Sequence, residues 1–155
     1  MQRWIQIGAL TILVIVGSGQ AFAQQTTASL DSAVAVASRW ALQADANQAD
    51  AMWQDSAETM RKSVKKTEWS HYLGTLRKQL GVLQSRDWLQ LARVTNPNNL
   101  PAGEYVNVIF ATKYANASTF ETISLEQTAS GWAPMGYVVR QMQAPTAATT
   151  PAAAK

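Results

Sequence analysis

Alternation along Phe120-Glu121-Thr122-Ile123-Ser124-Leu125 places one carboxylate, Glu121, on the same side of a strand as Ile123 and Leu125. A carboxylate on an apolar face must be paired, protonated or put to use. Arg86, at the start of the neighbouring part of the sheet pattern, is the expected partner. Such a pair reads as a structural ion pair that fixes a sheet, or as one wall of a pocket. Asp87, Tyr105, Tyr114 and Tyr137 could supply the carboxylate and phenols that an isomerase or hydratase pocket gathers around its substrate. Nothing in their spacing demands it, and tyrosines on strands commonly pack in a core with one wet end.

The single histidine, His71, is the natural general base, but at helical spacing it falls on the far side from its helix's apolar stripe, beside Lys78, and should face solvent. Arg61, Lys62, Lys65 and Lys66 form a cationic cluster at the end of a helical pattern. There they interact favourably with the helix dipole, and they also offer a contact for an anionic membrane surface. The chain has no cysteine, which excludes thiolate metal sites, thiol catalysis, disulfides and a lipidated N-terminal cysteine. One histidine leaves metal binding to carboxylates, and no nucleotide-binding glycine loop is present, so no metal or cofactor is expected.

These residues must be positioned by elements that the hydrophobic period reveals. Leu30, Ala33, Val34, Ala37, Ala41 and Ala44 keep helical spacing, with Trp40 at the edge of the stripe. A second helix starts near Asn47 and carries Ala49, Met52, Trp53, Ala57, Met60 and Val64 in one period. A third, capped by Thr67 and ending near Gly81, carries Trp69, Tyr72, Leu73, Leu76 and Leu80.

From there the period is two. Strands are expected over 84–95, 104–115, 118–128 and 132–141, with a turn-rich loop from Asn96 to Gly103 and a turn at Ser130-Gly131. Both faces of 104–115 carry apolar residues, which puts that strand inside the sheet. Pro134 cannot donate a ladder hydrogen bond, so it belongs at an edge or a bulge. Three helices before four short-turned strands imply an α+β domain: helices packed on one face of a curved, four-stranded antiparallel sheet.

The two ends read differently. Residues 1–23 have one positive charge at Arg3, an apolar run from Ile7 to Val16 and small residues at Ala21-Phe22-Ala23. That is the pattern of a secretory signal cleaved after Ala23, and its continuous apolar part is too short for a spanning helix. The expected organisation is a signal peptide over 1–23, one domain over 24–143, and a disordered Ala/Pro/Thr-rich tail over 144–155. The product would be periplasmic or secreted. Net charge is +3, or +2 without Arg3. That is too mild for a nucleic-acid partner, although the stretch from Arg61 to Arg93 is strongly basic.

Trp40, Trp53, the Thr67-Glu68-Trp69 helix start, Arg77, the Gly81 to Arg86 segment, Leu100-Pro101-Ala102-Gly103-Glu104-Tyr105, Phe120-Glu121-Thr122 and Gly131-Trp132 through Gly136-Tyr137 occur in an order that resembles the bacterial domain-of-unknown-function 4019 family. The resemblance runs from Ser38 to Arg140 and implies export, a single domain and no established activity. The layout is also similar to the cystatin-like and nuclear-transport-factor-two-like folds, in which a bent sheet and helices enclose a cone-shaped pocket. That likeness licenses no function.

With no nucleophile-base set in view, the sequence points to a non-catalytic envelope domain that binds a small ligand or a protein. The rivals are a pocket enzyme using Glu121 or Asp87 with a tyrosine, and a peripheral binder of anionic membranes using Arg61, Lys62, Lys65 and Lys66.

Overall fold

The structure, a computed structural model, describes residues 28–142. The expected signal peptide and the whole of the expected tail lie outside these residues.

Helix α1 (Leu30–Asp45) begins where the Ser29 hydroxyl accepts the Ser32 N–H at 3.1 Å. It buries Ala33, Ala37, Trp40, Ala41 and Ala44. The small alanines let the helix backbone lie close to the sheet, and Trp40 is the one bulky anchor.

The second helical pattern is not one helix. It divides into α2 (Ala49–Asp55) and α3 (Glu58–Ser63), so four helical segments precede the sheet where three were expected. The break is tertiary. Ser56 is extended, and the Ala57 N–H turns away from the helix to donate to the carbonyl of Pro134 at 2.6 Å. Apolar period alone cannot register a backbone hydrogen bond to a segment far along the chain.

Helix α4 (Lys66–Leu80) starts after an extended Lys65, which takes the cap position expected for Thr67. The Glu68 carboxylate reaches back to the Lys65 N–H at 3.5 Å, so Thr67 falls inside the first turn and not at its cap. At its other end Gly81 has φ +75°, and a Cβ there would meet Asn116 Nδ2 at 3.0 Å. Only glycine turns the chain here without strain.

Strands β1 (Leu83–Thr95), β2 (Glu104–Tyr114), β3 (Ser118–Thr128) and β4 (Gly131–Gln141) pair in sequence order, all antiparallel. β2 and β3 are therefore interior, and β1 and β4 are edges. Pro134 lies on edge strand β4 beside a register shift in which Met135 is the extra residue. Two more extra residues, Gln84 and Leu89, interrupt β1. Such bulges bend and twist the strands that carry them.

The architecture is α+β, with every helix N-terminal to an open antiparallel sheet. The core is the inner sheet face, with Val106, Val108, Phe110, Ile123 and Leu125, packed against α1, α2 and α4. Trp40 and Trp69 stack at 5.4 Å with an 11° interplanar angle, and Tyr137 meets Trp40 edge-on at 6.3 Å. Aromatic pairs of this kind add about 0.5–1.5 kcal/mol beyond their buried area. No helix among the described residues is long and apolar enough to cross a membrane.

Candidate functional site

Glu121 sits in the middle of β3 with its side chain inward, and it is 0% exposed. Its parity with Ile123 and Leu125, both fully buried, fixes that direction. Five donors surround it. On one oxygen, Arg86 Nε lies at 2.6 Å and the Thr112 hydroxyl donates as well. On the other, the Tyr114 hydroxyl donates at 2.6 Å, Arg86 Nη2 at 3.2 Å, and the Tyr137 hydroxyl completes the set. Arg86 comes from β1, Thr112 and Tyr114 from β2, and Tyr137 from β4, so all four strands meet at this carboxylate.

The helices add one more carboxylate and one more guanidinium. Asp45, the last residue of α1, receives Arg86 Nη1 at 2.7 Å and Arg77 Nη1, from α4, also at 2.7 Å. Arg77 reaches on to the Tyr137 hydroxyl at 3.2 Å and lies over the Tyr114 ring at 4.9 Å. Two guanidinium groups face two carboxylates, so the cluster is neutral as a whole. That balance is what allows it to be buried.

Burial alone would raise the pKa of Glu121. The hydrogen bonds and charge of Arg86, helped by the hydroxyls of Thr112 and Tyr114, outweigh burial and hold it below its ordinary value. Burial, reinforced by the charge on Glu121, pushes the phenols of Tyr114 and Tyr137 up. Arg86 is raised too: burial opposes its charge, and the bonds to Asp45 and Glu121 more than offset that. Glu121 is thus a charged acceptor with every oxygen occupied, and the tyrosines are firmly protonated donors. None of these groups is poised to exchange a proton near neutral pH.

The remaining candidate residues are elsewhere. Tyr105 is on the other face of β2, with its hydroxyl on the Pro101 carbonyl at 2.8 Å. Asp87 pairs with Ala111 across the sheet and also points away from Glu121. His71 is exposed on α4, on the rim of a shallow depression with Tyr72, Thr75 and Leu76. Three of the four clustered cations have acidic partners: Lys62 with Glu58 at 2.8 Å, Lys66 with Asp50 at 3.2 Å, and Lys65 with Glu68 at 4.0 Å. Arg61 folds back onto the carbonyls of Gln54 and Ser56. Among the described residues no group of His, Asp and Glu is arranged to hold a metal ion.

The segment from Val36 to Tyr137 contains the whole cluster from Asp45 onward. Residues 36–137 match the family model described as "Protein of unknown function (DUF4019)". The chain belongs to the DUF4019 family. No curated protein and no solved structure matches it.

In this DUF4019 chain the site residues that sequence reasoning left out are Asp45, Arg77 and Thr112. A signal for the first two exists. Asp45 continues the α1 series Ala37, Ala41 at four-residue steps, and Arg77 continues Trp69, Leu73 on α4. Each is a charge standing at an apolar position of its helix, and the two are of opposite sign.

Proposed function

We propose that this DUF4019 chain is an exported, non-catalytic protein-binding domain of the envelope, with a cystatin-like or nuclear-transport-factor-two-like layout, whose working surface is its open sheet face. Export rests on the leader pattern of residues 1–23. The layout rests on four antiparallel strands in sequence order with every helix before them.

The observation that carries the binding reading is the contrast between the two sheet faces. The inner face is closed by the saturated Glu121 cluster and the helices. The outer face displays Leu89, Phe120 and Val138 at 50%, 40% and 48% exposure around a depression of about 500 Å³. Exposed apolar groups gathered on one face mark an interaction surface rather than a scatter of single residues. An isomerase-like reading is less favoured, because its base would have to be a carboxylate already filled with donors and held ionised. The anionic-membrane reading is less favoured because Glu58, Glu68 and Asp50 stand beside Lys62, Lys65 and Lys66 and cancel most of the cluster's net charge.

The test is a photoreactive amino acid placed at Leu89 or Val138, with His71 as the control position, in cells that export the protein. Protein adducts from the two sheet positions and none from His71 are expected. Absence of adducts at both sheet positions would overturn the reading.

A further inference from the structure

The outer sheet face can be read as a grid, because strand register fixes which side chains lie side by side across it. One row runs Asp87, Ala111, Phe120, Arg140 from β1 to β4. The next runs Gln90, Ile109, Thr122, Val138. A third runs Ala92, Asn107, Ser124, Gly136. The first row begins with an acid at one edge and ends with a base at the other. Both Asp87 and Arg140 are exposed, and neither has an ion-pair partner among the described residues.

A two-fold axis parallel to the strands, passing between β2 and β3, reverses each row onto itself in a facing copy. Asp87 then lies over Arg140 of the second copy, and Arg140 over its Asp87. The bulky Phe120 lies over the small Ala111, and Ile109 over Thr122. In the third row Ala92 lies over Gly136, where close approach is easiest. No like charges are superposed: Lys113, at the next level, faces Ser118. The other in-plane axis, across the strands, sets each strand over its own copy and leaves Asp87 and Arg140 unmatched.

We infer that the partner of this face is a second copy of the chain, docked sheet to sheet about that axis through reciprocal Asp87–Arg140 contacts. The inference rests on the reading of the outer face as the working surface. An interface related by a two-fold must be self-complementary in this way, with each contact made twice. Two sheets packed face to face keep their strands within about 30° of each other, which an axis along the strands permits. The area is adequate. Four strands about 4.8 Å apart and about 35 Å long present roughly 650 Å², at the lower end of the ~600–1,000 Å² per partner of specific interfaces.

The experiment is sedimentation equilibrium on the purified envelope form, with Asp87→Arg, Arg140→Asp and the double swap. The unmodified chain should be a dimer in the micromolar range. Each single swap turns two attractive contacts into repulsive ones and should weaken association by about tenfold or more, whereas the double swap should return it to within about threefold. Phe120→Asp should give a monomer. Thermal melts identify any variant that has lost its fold, and the exposed positions of Asp87 and Arg140 make that effect small. A monomer at all concentrations, or a double swap no tighter than the singles, overturns self-pairing. If the pure chain is monomeric while Leu89 and Val138 still cross-link to a different protein in cells, the working surface stands and the second copy is ruled out.

Discussion

Asp45 and Glu121, one ending a helix and the other in the middle of a strand, are joined by a single guanidinium. Arg86 gives Nε to Glu121 at 2.6 Å and Nη1 to Asp45 at 2.7 Å. The helix layer is thereby fastened to the sheet by a charge that neither carboxylate holds alone.

Because Arg86 is shared, removing one partner leaves an imbalance that the other cannot correct. Glu121→Gln and Arg86→Met should each destabilise the fold by about 3–5 kcal/mol, the usual cost of an uncompensated buried charge. The double change leaves Asp45 with Arg77 and restores neutrality, so its loss should be well below the sum. Urea unfolding of the three variants checks this, and additive losses would refute the coupling.

Acid should reveal Glu121 separately. Its folded pKa is depressed, so its contribution is fully present above the unfolded value of about 4.3 and is lost as pH falls through the folded value. Between about pH 5 and about pH 3 the unmodified chain should lose stability more steeply than Glu121→Gln. Other acids with depressed values, such as Glu58 and Glu104, are common to both proteins and cancel. Parallel pH profiles would show that Glu121 does not titrate differently in the folded chain.

Ala57→Pro isolates the bond that divides α2 from α3. The φ of Ala57, −59°, and the extended Ser56 before it both suit proline, so the main loss is the N–H donated to Pro134. A cost of about 1–3 kcal/mol in urea is expected, as for a buried acceptor left unpaired. A neutral or stabilising result would mean that the bend is set by the chain's own preference.

Changing Lys62, Lys65 and Lys66 together to Gln should leave sedimentation with anionic vesicles unchanged, because these charges are already paired locally. Binding by the unmodified chain that weakens with both the triple change and added salt would restore the headgroup reading.

Protein recovered from the envelope should begin at Gln24, after the small residues Ala21 and Ala23. Intact mass with Met1 retained in a membrane fraction would contradict export by cleavage.

Strands are legible here because side-chain parity is local. Six residues around Glu121 suffice to aim it inward, and Pro134 announces its own place at an edge. The same locality explains what escaped. Asp45 and Arg77 lie 32 positions apart, on helices whose relative packing no short window contains. The α2–α3 break depends on Pro134, far along the chain. Parity places Thr112 on the buried face of β2, but its role as a donor appears only once the strand register sets Glu121 diagonally across from it on β3. The outer face is the reverse case: its residues are ordinary one by one, and register alone shows that Asp87 and Arg140 close the two ends of one row.

The length of chain enclosed by the Asp45 contacts has a kinetic meaning. Asp45 meets Arg86 across 41 positions and Tyr114 across 69, and Arg77 meets Tyr137 across 60. Loops of that size must close before any of these bonds can form, so local helices and hairpins precede them in folding. Interactions made after the rate-limiting barrier act on the return journey: they slow unfolding and leave the folding rate nearly untouched. The long-range bonds of Asp45 and Arg77, closing late, therefore act on the unfolding rate and lengthen the time a native molecule survives between openings.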